Sequence, residues 1–266
     1  MAWTLDTIDW ARFDPAAVDP GVLALVKAAA LVEANAPDYV AYLRNVFAGD
    51  TAFLASIDCW GTEEAQHGLA LGCWAMVADP AWNFDRALAD FRAGYRIEID
   101  ATASIRGSRA GELIARQVVE TGTSSFYSAL RDATSEPVLK SVASYIARDE
   151  FAHYRLFAKA AKSAPSLNLA ARLRIAVTRF AEAGDDELGW AWFAANVLPN
   201  APGATYETGI YSRAYAAQAL RLYRREHIAI GIGMTLRAVS LRPDAWLYRL
   251  LTGATWTAVR VKVAFA

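Results

Sequence analysis

Only three histidines occur in the chain, and two of them close the same word, Glu-x-x-His: Glu64–His67 and Glu150–His153. Both words lie in apolar, alanine-rich stretches that read as helices. Positions i and i+3 share a helix face, so each word aims a carboxylate and an imidazole at one point. Unpaired charges are expensive to bury in such an interior. Two such words, joined by one Glu from each of two further helices, form the ligand set with which a four-helix bundle holds two metal ions. Glu33 and Glu120 supply the single carboxylates. Glu64 follows Glu33 by 31 residues and Glu150 follows Glu120 by 30, so one half-site is used twice. Structural salt bridges are the competing explanation, and two accidental copies of the word in one chain make it the weaker one.

The remaining sequence is read around that requirement. Residues 1–20, punctuated by Pro15 and Pro20, read as an extended lead-in. Helical periodicity runs over 21–47, with Pro37 inside it, and predicts a kink beside Glu33. A second helix spans 51–78. A long connection, 79–107, carries a short helix at 84–95. The third helix covers 108–132, and a fourth starts at the capped turn before Pro137 and runs to about 162. Short link, long crossover, short link is the order of a ferritin-like bundle. The expected fold is therefore all-α: a ferritin-like four-helix bundle with a long crossover over 1–165, and additional C-terminal helices over 166–266, broken at Pro199–Gly203 and Pro243.

Composition narrows the setting. With 55% hydrophobic and 21% charged residues the chain can build a large core. A net charge of −1 argues against nucleic-acid binding. Cys59 and Cys73 are the only cysteines; fourteen apart on one helix, they cannot bridge within it, so a cytoplasmic, reduced setting is expected. No CxxC pair provides a rubredoxin-type iron centre. No stretch reaches the about 18 apolar residues of a membrane span, and the N-terminus lacks the basic start and apolar run of a secretory signal.

The motifs, read in order, resemble those of the soluble acyl-carrier-protein desaturases of the ferritin-like di-iron superfamily. Glu33-Ala-Asn-Ala-Pro37-Asp-Tyr39 is similar to that family's first ligand segment, and Trp60-Gly-Thr-Glu63-Glu64-Ala-Gln-His67-Gly68 to its Trp, then Glu-Glu-x-x-His-Gly. Glu120-Thr-Gly-Thr123 matches a ligand Glu followed by a Thr beside the oxygen site, and Ile146-Ala-Arg-Asp149-Glu150-Phe-Ala-His153 its last ligand word. Trp10 resembles a Trp that helps connect the site to the surface. The resemblance covers roughly 1–162. It departs at Ala65, Gln66, Phe151 and Ala152, where the family carries polar and basic residues, and at Tyr154, where the family has an acid.

The resemblance implies two iron ions (Fe2+/Fe3+) per chain, with O2 as co-substrate. Glu64 and Glu150 would bridge the metals; Glu33 and His67 would complete one, Glu120 and His153 the other. Asp149 is the natural partner of His67, with Trp10 behind it, and Trp60 lies one turn before Glu64. Both Trp residues have core packing as an equal alternative. Thr123 either delivers a proton at the oxygen site or bonds a backbone carbonyl. Tyr127 and Tyr154 read as buried tyrosines with satisfied hydroxyls, and His227, without a Glu three residues before it, reads as structural.

The implied activity is O2-dependent desaturation of a fatty acyl chain on an acyl carrier protein, with electrons from an external donor such as ferredoxin, in a homodimer. A di-iron hydroxylase or oxygenase on another lipid or small molecule is the alternative, and an iron-oxidising or peroxidase protein the next. From Arg213 onward the chain holds nine Lys/Arg and two acids, Glu226 and Asp244. That third has three readings. It docks an acidic carrier through Arg221, Arg224 and Arg225; it rests peripherally on an anionic membrane through Trp246, Leu247, Leu250, Leu251 and Trp256; or it forms a dimer or cap element.

Overall fold

Each long helix begins where a side chain can accept from the first free backbone N–H groups. Asp19 accepts from Val22 N and sets Pro20 in the first turn of α1 (Pro20–Ala34). Asp50 caps α3 (Thr51–Ala78), and Ser108 caps α5 (Arg109–Ala133). Glu136 caps α6 (Pro137–Ser163), accepting from Val138 N and Leu139 N. The same carboxylate also accepts from Trp74 Nε1 at 2.6 Å and Asp14 N at 3.2 Å, so its full burial leaves no orphaned acceptor.

The computed structural model describes residues 3–182 and 186–265, and no strand occurs among them. The anticipated helix over 21–47 is two helices rather than one kinked rod: α1 ends at Ala34, and α2 spans Ala36–Val46 after Asn35, whose ψ of 4° leaves the helical path. Pro37, without an N–H, removes the bond that would have tied the two together. The lead-in is not plainly extended either; it coils through 3-10 turns at Leu5–Thr7, Trp10–Arg12 and Pro15–Ala17. The crossover carries the expected short helix, α4 (Phe84–Gly94). Next come α7 (Leu169–Glu182), α8 (Asp186–Trp192) running into a π-helical turn at Phe193–Val197, α9 (Ile210–Leu222), α10 (Arg225–Ala238) and α11 (Ala245–Ala264).

Helix α1 packs along α3 and α5 along α6, and the two pairs meet through α3 and α6. The core cluster holding Leu25, Leu31, Leu71, Trp74, Tyr127, Leu139 and Ile146 fills one end, and one built on Tyr42, Leu43, Phe53, Ile57, Trp60 and Phe157 fills the other. Helix α10 covers the outer side of α5, where Tyr154 donates to the Met234 carbonyl at 2.8 Å. His227 is structural, as expected: its Nδ1 accepts from Arg224 N, and its Nε2 sits 3.0 Å from Asp132. Both cysteines lie on α3 and are free. No helix among the described residues is long and apolar enough to cross a membrane.

The closest backbone approach beside the future ligands is at Gly68, where a Cβ would stand 2.5 Å from Ala34 N and 2.8 Å from its Cα. A backbone neighbour cannot turn aside, so Gly68→Ala has to push α1 from α3. We predict a loss of about 1–3 kcal/mol, the usual range for overpacking, read from chemical denaturation of the metal-free protein.

Candidate metal centre

The six anticipated ligands come from four helices and meet in the interior. Glu33 is on α1, Glu64 and His67 on α3, Glu120 on α5, Glu150 and His153 on α6, and all six are buried. They fall into two groups, Glu33–Glu64–His67–Glu150 and Glu64–Glu120–Glu150–His153. Within each group one ligand atom per residue lies within 4.8 Å of the others. Glu64 and Glu150 belong to both groups, the placement a bridging carboxylate requires.

Both imidazoles are oriented alike. His67 turns Nδ1 inward, 3.2 Å from Glu150 and 3.6 Å from Glu33, and Nε2 outward to Asp149 at 3.4 Å. His153 turns Nδ1 inward, 2.9 Å from Glu64 and 3.8 Å from Glu120, and Nε2 outward to Glu63 at 2.8 Å. An outer carboxylate holding the far N–H fixes the tautomer and leaves the inner nitrogen's lone pair for a metal. Asp149 is the partner anticipated for His67. Glu63 was not singled out for His153, although the signal was present: each word is preceded by an acid, and each acid serves the histidine of the other helix.

Behind Asp149 stands Trp3, not Trp10. Trp3 Nε1 donates to Asp149 Oδ2 at 2.5 Å, and its ring stacks 6.0 Å from His67 at an interplanar angle of 5°. Trp10 is held in its own 3-10 turn, donating to the Leu5 carbonyl at 3.2 Å, and packs on the core. The coil of the lead-in carries Trp3 back to the bundle, a path without a periodic signal in sequence. Trp60 lies edge-on to His153 at 6.4 Å, as its position one turn before Glu64 suggested.

Thr123 donates to Glu150 Oε2 at 2.5 Å, while the carbonyls of Val119 and Glu120 stand at 3.4 Å, so the carboxylate is its better partner. Tyr127 donates to Glu33 Oε1 at 2.5 Å. Four buried atoms facing the centre, Glu33 Oε2, His67 Nδ1, Glu150 Oε1 and His153 Nδ1, make no hydrogen bond. Orphaned polar atoms in a protein interior are costly. These four converge, and cations at the centre would satisfy them together. Four carboxylates also balance the charge of two divalent ions. The residues therefore fit a metal pair, and oxygen and imidazole donors suit first-row transition metals.

Without metal, burial, then Glu64 and Glu150, push Glu33 well above the usual carboxylate range; burial, then Glu150 and Glu64, do the same to Glu120. Burial would raise Glu150 as well, but the facing His153 and His67 imidazoles outweigh it and hold it low. Burial likewise opposes the charged imidazoles, yet Asp149, Glu150 and Glu33 raise His67, and Glu150, Glu63 and Glu64 raise His153.

A cavity of about 60 Å³ opens against this centre, lined by Glu33, Glu64, Glu120, Thr123 and Glu150 on one side. Its other side, the roof, is partly open and carries the polar side chains of Tyr39, Arg116, Arg179 and Glu187. Tyr39 donates to Glu187 at 2.7 Å, and the Arg116 guanidinium lies 4.6 Å over the Tyr39 ring. No protein-family model matches the chain, and neither does any curated protein sequence.

Two outcomes follow. Asp149→Asn and Glu63→Gln should each lower affinity for a first-row divalent metal by about 10–100-fold, and Trp10→Phe should leave it unchanged, measured by competition with a chelating dye. The pH dependence has a definite sign. Glu33 and Glu120 bind protons more tightly folded than unfolded, so their contribution to metal-free stability is full below the ordinary carboxylate value of 4.5 and is lost as pH rises through their folded values. The raised histidines act in the same direction, and the lowered Glu150 opposes them only in acid. Thermal melts of metal-free protein should fall toward alkaline pH, and metal uptake should release protons to an indicator dye.

Proposed function

We propose that the chain is an O2-dependent di-iron oxidoreductase of the ferritin-like superfamily, akin to the soluble acyl-carrier-protein desaturases. The observation that carries the reading is the pair of overlapping ligand groups sharing Glu64 and Glu150. The connections support it too: α1 and α3 flank a short segment, α5 and α6 a shorter one, and residues 79–108 cross between the pairs, the ferritin-like order. Iron held at this centre would supply activation of O2 for oxidation of a C–H bond, using electrons from an external donor.

The chain's own groups then have defined tasks. Glu33, Glu64, Glu120 and Glu150, with His67 and His153, would hold the metals. Asp149 and Glu63 keep the two imidazoles aimed inward. Thr123 lines the cavity and holds a proton at Oγ1, one hydrogen bond from Glu150. Tyr127 holds another on Glu33.

The substrate divides two readings. Motif resemblance favours a carrier-bound acyl chain. The cavity beside Thr123 is small, about 60 Å³, and a compact molecule fits it more readily than an extended chain. We therefore keep hydroxylation or other oxygenation of a small molecule beside desaturation. Iron oxidation without an organic substrate is the third reading.

The deciding experiment loads the protein anaerobically with iron, counts two irons per chain, and then adds O2, a reductant and a substrate panel with mass spectrometry as readout. A product lighter by two hydrogens supports the desaturase; one heavier by an oxygen supports the oxygenase. Iron oxidation with no organic product supports the third reading, and failure to bind two metals removes all three. Thr123→Val should retain both irons and lower kcat by about 10²–10⁴-fold, the usual contribution of a positioned proton donor.

A further inference from the structure

Helix α11 is apolar on two opposite sides, and only one of them is covered. Thr252 and Val259 are buried on the side turned to α9 and α10. On the other side Trp246, Leu250, Ala254, Thr257 and Val261 recur every three or four residues, and Phe265 continues the line at the C-cap. The large members are bare: Trp246 is 68% exposed, Leu250 59%, Val261 50% and Phe265 89%. A contiguous exposed apolar stripe rimmed by polar residues marks an interaction surface, so this outward face calls for a cover.

The charges beside the stripe say which cover. Arg249 and Arg260 project along one of its margins and Lys262 along the other, all exposed, and Ala245–Ala264 contains no acidic residue. Just before the helix, Arg242 and the N-cap acid Asp244 are exposed as well. An apolar centre carrying Trp and Phe, rimmed by cations and about 20 residues long, is the pattern of a helix lying in the plane of a membrane interface. A second copy of the chain fits less well, because a self-complementary contact across this face would bring Arg249, Arg260 and Lys262 against the same cations. An acidic carrier protein fits less well too, because the centre of the face offers no hydrogen-bonding side chain beyond Thr257.

We propose that the outer face of α11 docks this protein on an anionic lipid bilayer. The helix lies on the surface without crossing it, Trp246, Leu250 and Phe265 enter the headgroup boundary, and Arg249, Arg260 and Lys262 meet lipid phosphates. This inference does not rest on the metal-centre reading, since α11 contributes none of the six ligands.

The test is co-sedimentation of the full-length protein with phosphatidylcholine vesicles, with and without phosphatidylglycerol. The expected result is binding that requires phosphatidylglycerol and weakens with salt. Trp246→Glu with Leu250→Glu should abolish it, while circular dichroism and metal content stay those of the wild type, since both side chains are already in solvent. Arg260→Gln and Lys262→Gln should each weaken it by about fivefold. Absence of binding to phosphatidylglycerol vesicles at low salt overturns the proposal, as does equal binding to both vesicle types or binding untouched by the double Glu variant. Sedimentation equilibrium supplies a further contrary outcome: a dimer that the double Glu variant dissolves, without lipid binding by the wild type, would assign the face to a second copy.

Discussion

Holding four carboxylates and two imidazoles at one point inside an apolar core is the constraint on which the other features of this molecule depend. Burial disfavours the charged carboxylates, and like charges at such distances repel besides; the raised proton affinities of Glu33 and Glu120 are the metal-free chain's response. The surrounding helices make the point reachable. Gly68 lets α1 lie against α3, and buried Glu136 ties the start of α6 to Trp74 and the lead-in. A core of this size can sustain the strain because both ends of the bundle are filled by large side chains.

The centre is built twice by one local rule. In Glu63–Glu64–x–x–His67 and Asp149–Glu150–x–x–His153, the second acid and the histidine share an inward face, while the first acid is turned by one residue, about 100° around the helix. That offset is too large for the centre and right for the neighbouring helix, so Asp149 reaches His67 and Glu63 reaches His153. The reciprocal arrangement makes the orientation of each imidazole depend on α3 and α6 being correctly seated. A slip of either helix would therefore disturb both ligand groups together.

What the sequence disclosed follows from how local each feature is. The helices from 51 to 162, the crossover and the meeting of Glu33, Glu64, His67, Glu120, Glu150 and His153 follow from spacing within single helices, and the satisfied hydroxyls of Tyr127 and Tyr154 from the cost of burying a bare one. Pro37 announced a disturbance next to Glu33, but whether the chain bends or breaks depends on the turn at Asn35, which spacing does not encode. Trp3 could not be told from Trp10 because the lead-in returns through irregular turns. The roof of the cavity was equally hidden: Tyr39, Arg116, Arg179 and Glu187 come from α2, α5, α7 and α8, with no common period.

That roof alters how the C-terminal third relates to the centre. It contains no ligand spacing, yet Arg179 and Glu187 line the cavity beside Thr123, and Glu187 accepts the Tyr39 hydrogen bond. Tyr39 follows Glu33 by six residues across the break at Asn35, so a movement of α2 against α8 can alter the roof while α1 keeps its ligand in place. Tyr39 and Glu187, joined across α2 and α8, and Arg179 of α7 thus stand beside the cavity without belonging to either ligand group. The cavity wall and the two ligand groups are carried by different side chains, so a substitution at one of these three reshapes the wall without removing a ligand.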